Sequence, residues 1–98
     1  MNSYKEDAIG YWIAKDPSAI LDYPMDWTDW LQDAEIITAS QWTVPTGLTA
    51  ANPAYSTKAT TVWLSSGIPG EVYTVVNRIS TSEGRTDERS FRVKVKNR

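Results

Sequence analysis

The stretch Thr60-Thr61-Val62-Trp63-Leu64-Ser65-Ser66-Gly67-Ile68-Pro69-Gly70-Glu71-Val72-Tyr73-Thr74-Val75 decides the fold class. Thr60, Val62 and Leu64 alternate with Thr61, Trp63 and Ser65, which is the period of a strand with one covered face. Pro69-Gly70 suits the central pair of a type II turn, because proline presets the first position and glycine accepts the positive φ of the second. That turn feeds a strand over Val72 to Thr81 with Tyr73, Val75 and Ile79 on one face. A reversal at Ser82-Glu83-Gly84-Arg85 follows, and then a strand over Ser90 to Lys96. In that last strand Phe91, Val93 and Val95 face one way, and Arg92, Lys94 and Lys96 the other. One dry and one wet face is the mark of antiparallel strands packed on a core.

Upstream the signals are weaker but of the same kind. Leu21, Tyr23, Met25 and Trp27 alternate with Asp22, Pro24 and Asp26, and Pro24 confines that strand to a sheet edge. A helical spacing of Trp27, Trp30, Leu31 and Ala34 competes there. The favoured reading is an extended segment followed by a single helical turn. Ile36 to Val44 is rich in β-branched residues and stops at Pro45-Thr46-Gly47. Leu48 to Ala54 is weakly patterned and reads as a short strand broken at Pro53. Six or seven short strands with no long helix define an all-β sandwich over residues 21–98, preceded by an arm over residues 1–20.

One spacing refines the class. A leucine ends one strand, a glycine-containing corner follows, and Tyr73 opens the next strand, as in a tyrosine corner whose hydroxyl bonds back to the preceding loop. Trp42 and Phe91 read as core. In a chain of 98 residues only about 60–65% of the unfolded surface is buried, so the aromatic residues must supply much of the core.

Composition removes whole classes of chemistry. The chain has no cysteine and no histidine, hence no thiolate nucleophile, no imidazole base, and none of the commonest transition-metal ligands. A net charge of −2 from 10 basic and 12 acidic residues points to neither nucleic acid nor an anionic membrane. The amino-terminal residues are acidic where a secretory leader would be basic, and the longest nearly apolar run, Ala8 to Ala14, is far short of a span. The expectation is synthesis in the cytosol, with no exported or anchored form.

Three groups of side chains invite a sharper reading. Asp22, Asp26 and Asp29, with Asp33 and Glu35 nearby, lack the alternating ligand spacing and turn glycine of a calcium loop, and read as solvated acids and caps. Asp87, Glu88 and Arg89 read as a surface ion-pair group rather than a catalytic acid pair. The stripe Arg92, Lys94, Lys96 and Arg98 reads as protection of a strand from aggregation rather than as a phosphate site. No cofactor or metal site is expected. Tyr11, Trp12 and Ile13 in the arm, and Trp63 opposite Val62 and Leu64, are the candidate partner-binding residues, since exposed aromatics are enriched at interface hot spots.

A family resemblance adds to this reading. Lys15-Asp16-Pro17 through Leu21-Asp22-Tyr23, Asp26-Trp27, Trp30-Leu31, Ile37 to Pro45, Thr61 to Gly67 and Gly84 to Phe91 together resemble small phage virion proteins described as fibre–tail adaptors. The likeness runs from about Lys15 to Val95. It implies an immunoglobulin-like antiparallel β-sandwich, no enzymatic activity, other virion proteins as partners, and several copies in the assembled particle. A fibronectin-like adhesion or carbohydrate-contact module is the alternative; it would be expected as one domain of a long exported chain.

Overall fold

The computed structural model describes residues 4–97. Its strands are β1 (Lys5–Glu6), β2 (Tyr11–Lys15), β3 (Leu21–Asp26), β4 (Ile37–Thr43), β5 (Leu48–Tyr55), β6 (Ala59–Ser66), β7 (Val72–Thr81) and β8 (Thr86–Val95). They form a five-stranded sheet of order β1-β2-β8-β7-β4 and a three-stranded sheet of order β3-β6-β5. Strands β3, β6 and β5 opposed to β8, β7 and β4 give the strand arrangement of an immunoglobulin-like sandwich.

The segment expected as an arm is built into this sandwich over much of its length. Strand β2 lies beside β8, with Ile13 opposite Val93 and Lys15 opposite Val95. The pairing is parallel, so the expected wholly antiparallel arrangement is corrected at this one ladder. The cause is the turn at Asp16: the Ala19 N–H donates to the Asp16 carbonyl at 3.0 Å, and the Ser18 N–H to its carboxylate at 2.8 Å. That turn passes the chain from one sheet to the other, which leaves β2 on the open edge of β8 and running in the same direction. The strand count rises to eight because β1 and β2 join the sheet.

Most of the other elements form where the residue pattern places them. Strand β3 is an edge, as Pro24 requires. After it the Leu31 N–H donates to the Trp27 carbonyl at 3.1 Å, closing one helical turn. Leu21, expected on the covered face, is instead exposed at the start of that edge. Strand β5 continues past Pro53 to Tyr55; the ladder to β6 shifts register between Ala51 and Ala54, with Asn52 at φ 48. A bulge absorbs the proline there. Strand β8 begins at Thr86, well before Ser90, because Asp87 and Glu88 continue the ladder opposite Ile79 and Arg78.

Two apolar clusters fill the space between the sheets. The larger contains Ile13, Tyr23, Leu48, Val62, Leu64, Tyr73, Val75, Phe91, Val93 and Val95, with Trp42 and Val44 packed against it. The smaller contains Trp27, Leu31, Ile37 and Ile79, with Trp30 alongside. At one end of the larger cluster the Ile68 N–H donates to the Tyr73 hydroxyl at 3.0 Å, the geometry of a tyrosine corner. The turn below it has the Glu71 N–H on the Ile68 carbonyl at 3.0 Å and Gly70 at φ 91, as a type II turn requires. Gly47 sits at φ 104, and a Cβ there would lie 2.9 Å from the Tyr73 hydroxyl. Only glycine leaves the phenol its place.

Candidate interaction surfaces

An aspartate turn shapes the amino-terminal hairpin. The Asp7 carboxylate accepts the N–H groups of Ile9 and Gly10 at 2.9 and 3.2 Å, and the Asp7 N–H donates to the Gly10 carbonyl at 3.0 Å. The same carboxylate is 2.6 Å from the Arg92 guanidinium, whose hydrogen bond, with those of the turn, holds the Asp7 carboxyl below its ordinary range. Arg92 also donates to the Gly10 carbonyl at 3.1 Å. The turn that joins β1 to β2 is thereby clamped onto β8.

The three candidate residues of β2 separate. Ile13 is 8% exposed and belongs to the main core, so it is corrected from a partner contact to a packing residue; strand alternation opposite Val93 turns it inward. Trp12 is half-buried on the outer face beneath Lys94, whose ammonium lies 3.9 Å from the ring centroid, a cation–π contact. Tyr11 is 51% exposed, and Ile9 at the hairpin tip is 81% exposed.

Beside Tyr11 a groove of about 690 Å³ opens between the edge of β3 and the first half of β8. Tyr4, Met25 and Phe91 contribute its apolar wall, and Asp26, Asp29 and Arg89 its polar rim. Tyr4 stacks edge-on against Phe91 with centroids 5.0 Å apart and donates its hydroxyl to the Pro24 carbonyl at 2.9 Å. Burial pushes the ionisation of that hydroxyl upward. Asp26 is lowered, chiefly by the Thr28 hydroxyl, and Arg89 lies over the Trp27 ring at 4.3 Å.

Trp63 occupies the outer face of the other sheet. Its neighbours in sequence, Val62 and Leu64, are 1% and 0% exposed, whereas Trp63 is 39% exposed. Asp22 and Ala51 stand opposite it on the flanking strands. Trp42 and Phe91 face inward, with ring centroids 6.3 Å apart, and the Trp42 indole N–H is buried with no hydrogen-bond partner among the described residues. Asp22 lies on β3, Asp29 and Asp33 on the loop after it, and among the described residues no three acidic side chains converge as a metal site would require. Arg98 of the basic stripe lies outside the described residues.

Two buried charges escape the sequence reading. Glu35, grouped there with the solvated acids, is 0% exposed. Its carboxylate accepts the Arg85 Nε at 2.9 Å, the Gln32 N–H at 2.9 Å and the Thr81 hydroxyl. The Arg85 hydrogen bond, ahead of the others, brings its pKa from 4.5 down to about 2. Its place immediately before the Ile36-Ile37 pair, whose Ile37 is buried, is the one signal that could have revealed it. Lys15 is 1% exposed and donates to the carbonyls of Asp16 and Ser66 at 2.9 and 2.7 Å; burial lowers its pKa. Strand alternation with Ile13 places it inward, and the long stem of lysine carries its ammonium to the corner.

The class these elements define is a small immunoglobulin-like β-sandwich, with Tyr11 and Trp63 exposed on different sheets. A model of the family described as podophage GP4 fiber-tail adaptor protein gp77 matches residues 15–94, so most of the chain is covered, and the protein belongs to that family. No curated protein matches the chain. The match starts at the last residue of β2, so β3 through nearly all of β8 lie within it and the amino-terminal hairpin lies before it.

Proposed function

We propose that this protein is a non-enzymatic connector of the phage virion, made in the host cytoplasm, that joins fibre to tail by protein–protein contacts on two faces. The family assignment supports a structural adaptor role. The observation that carries the two-faced reading is the position of its exposed aromatics: Tyr11 at the hairpin side of the five-stranded sheet, and Trp63 on the outer face of the three-stranded sheet. A rigid sandwich between two such anchors holds its neighbours at a fixed separation, and large aromatics supply contact area at little entropic cost. Neither nucleic acid nor membrane is a partner in this reading, and several copies act in one particle.

The hairpin is the stronger anchor, because Tyr11 lines a mainly apolar groove that can receive a partner's side chain and Ile9, two residues before it, is the more exposed of the two. Particles carrying the double substitution Ile9→Ser and Tyr11→Ser are expected to lose fibres in negative-stain micrographs, while the purified variant melts within about 2 °C of the parent, as exposed positions allow. A normal complement of fibres on those particles would refute the hairpin contact. Removing residues 1–14 altogether is a poorer test: it strips Ile13 from the core and β2 from β8, and is expected to lower the melting temperature, contrary to what a free arm would predict.

A further inference from the structure

From Ile36 to Thr57 the chain carries no charged residue. This segment supplies β4 and β5, the two strands that end the sheets on one side of the sandwich. The other open edges are guarded. Strand β1 carries Lys5 and Glu6, β3 carries Asp22, Pro24 and Asp26, and the first half of β8, beyond its pairing with β2, carries Asp87, Glu88 and Arg89. Strand β5 is interrupted by Pro53 and the bulge at Asn52. Charges, prolines and bulges are the usual devices that stop strand edges from joining.

Strand β4 is protected only at its beginning. There the Ile37 N–H donates to the Thr57 carbonyl at 2.9 Å, the Tyr55 hydroxyl donates to the Thr38 carbonyl at 2.8 Å, and the ladder to β7 shifts between Ile37 and Ala39. Over Ala39–Thr43, the only strand ladder formed among the described residues is the one to β7. Ala39, Gln41 and Thr43 are exposed along it. This run of β4 is an open, uncharged edge whose backbone groups select an extended strand as their ligand.

We infer that the Ala39–Thr43 edge of β4 pairs antiparallel with the same edge of a second copy of this chain. An antiparallel strand pair is two-fold symmetric, so one edge can serve both partners. With Gln41 at the centre, Ala39 stands opposite Thr43 of the copy, and the two Gln41 amides, each both donor and acceptor, can bond to one another. No like charges meet across such a junction. The acidic positions Asp22 and Asp26 on β3 belong to the opposite edge of the other sheet and stay away from it. The product is a continuous sheet through two sandwiches.

Sedimentation velocity on the purified chain, in a series reaching about 1 mM to capture a weak contact, tests this without any virion partner, so its failure leaves the adaptor reading standing. The wild type is expected to move from monomer to dimer, Gln41→Lys to remain monomeric, and Thr74→Lys, exposed on the interior strand β7, to dimerise like the parent. A monomer throughout the series overturns the inference, as does a dimer that survives Gln41→Lys. If that variant fails to fold, amide exchange of Ala39–Thr43 in the wild type decides the matter. Protection that rises with protein concentration supports the pairing, and protection independent of concentration overturns it.

Discussion

The two apolar clusters of this sandwich are held together by different physics. The larger is made of side chains whose inward direction follows from strand alternation: Tyr73 and Val75 on β7, Phe91, Val93 and Val95 on β8, Val62 and Leu64 on β6. Its stability is mostly a matter of area removed from water. The smaller has, among the described residues, Trp27, Leu31, Ile37 and Ile79 as its buried apolar members, and it is surrounded by buried polar groups. The Trp27 indole donates to the Asn77 amide at 3.1 Å, and Thr60 donates to the same oxygen at 2.6 Å. The Asn77 amide nitrogen in turn donates to Ser40 and the Gln41 carbonyl at 3.0 and 3.1 Å. Arg85 caps the end, lying 4.0 Å over the Trp30 ring and bonded to Glu35. The comparison teaches that the small cluster depends on every polar partner being present, since a half-satisfied buried network costs more than an apolar one.

The largest consequence falls on Trp27. Trp27→Ala removes the biggest fully buried side chain of the domain and takes away one of the two donors, the indole N–H and the Thr60 hydroxyl, that meet on the Asn77 amide oxygen. An expected loss of about 3–5 kcal/mol is a large part of the total stability of a small domain. Urea unfolding measures it. A cost below about 1 kcal/mol would mean that the small cluster is dispensable and the comparison empty.

Glu35 comes next, and pH separates it from packing effects. Its carboxyl falls from an ordinary 4.5 to about 2 in the folded chain, so the unfolded state binds the proton more readily. The contribution is therefore fully present above about pH 4.5 and is lost as pH falls through about 2. Glu35→Gln is expected to lower the melting temperature at pH 7 by about 5–10 °C, by leaving Arg85 without its anion. The gap between variant and parent should close as pH approaches 2. A gap that stays constant across that range would show that Glu35 acts through shape rather than charge.

The same contrast explains what could be read from the residues. Alternation predicts a direction for each side chain, and it places β3 apart from the exposed Leu21, β6 and β7, and the faces of Phe91, Val93 and Val95; β4 is marked instead by its β-branched residues and the loop signal that ends it. Asn77 and Thr81 share the inward face of β7 with Val75 and Ile79, but a polar side chain at an inward position carries no sign of the partner that satisfies it. Glu35 and Arg85 are fifty positions apart, and nothing local in either marks the pair. Alternation in the amino-terminal segment is too short to mark β2, and its place in the sheet is fixed by β8, a ladder spanning nearly the whole chain. Of the proposed contact residues, Trp63 is legible because both of its neighbours are buried. Ile13 is not, because the sheet that covers it is assembled from distant residues.

Tyr73 gives the smallest of the expected effects and the cleanest control, because it ties a single hydrogen bond to the large cluster. Tyr73→Phe keeps the ring in the core and removes the acceptor for the Ile68 N–H. The expected cost is about 0.5–1.5 kcal/mol, a melting-temperature drop of about 2–10 °C, with no change in its dependence on acid. The Gly47→Ala substitution sharpens the test, since its Cβ would stand 2.9 Å from that hydroxyl. Alanine at φ 104 is strained in either background, and its Cβ meets a ring carbon at 3.1 Å in both, but the closest contact, at 2.9 Å, is with the hydroxyl that phenylalanine lacks. Gly47→Ala should therefore cost less in the Tyr73→Phe chain than in the parent, a coupling of about 0.5 kcal/mol or more. Equal costs in the two backgrounds would mean that the corner relaxes around the added methyl, and that the large cluster does not hold its phenol in the fixed position that the contrast with the small cluster requires.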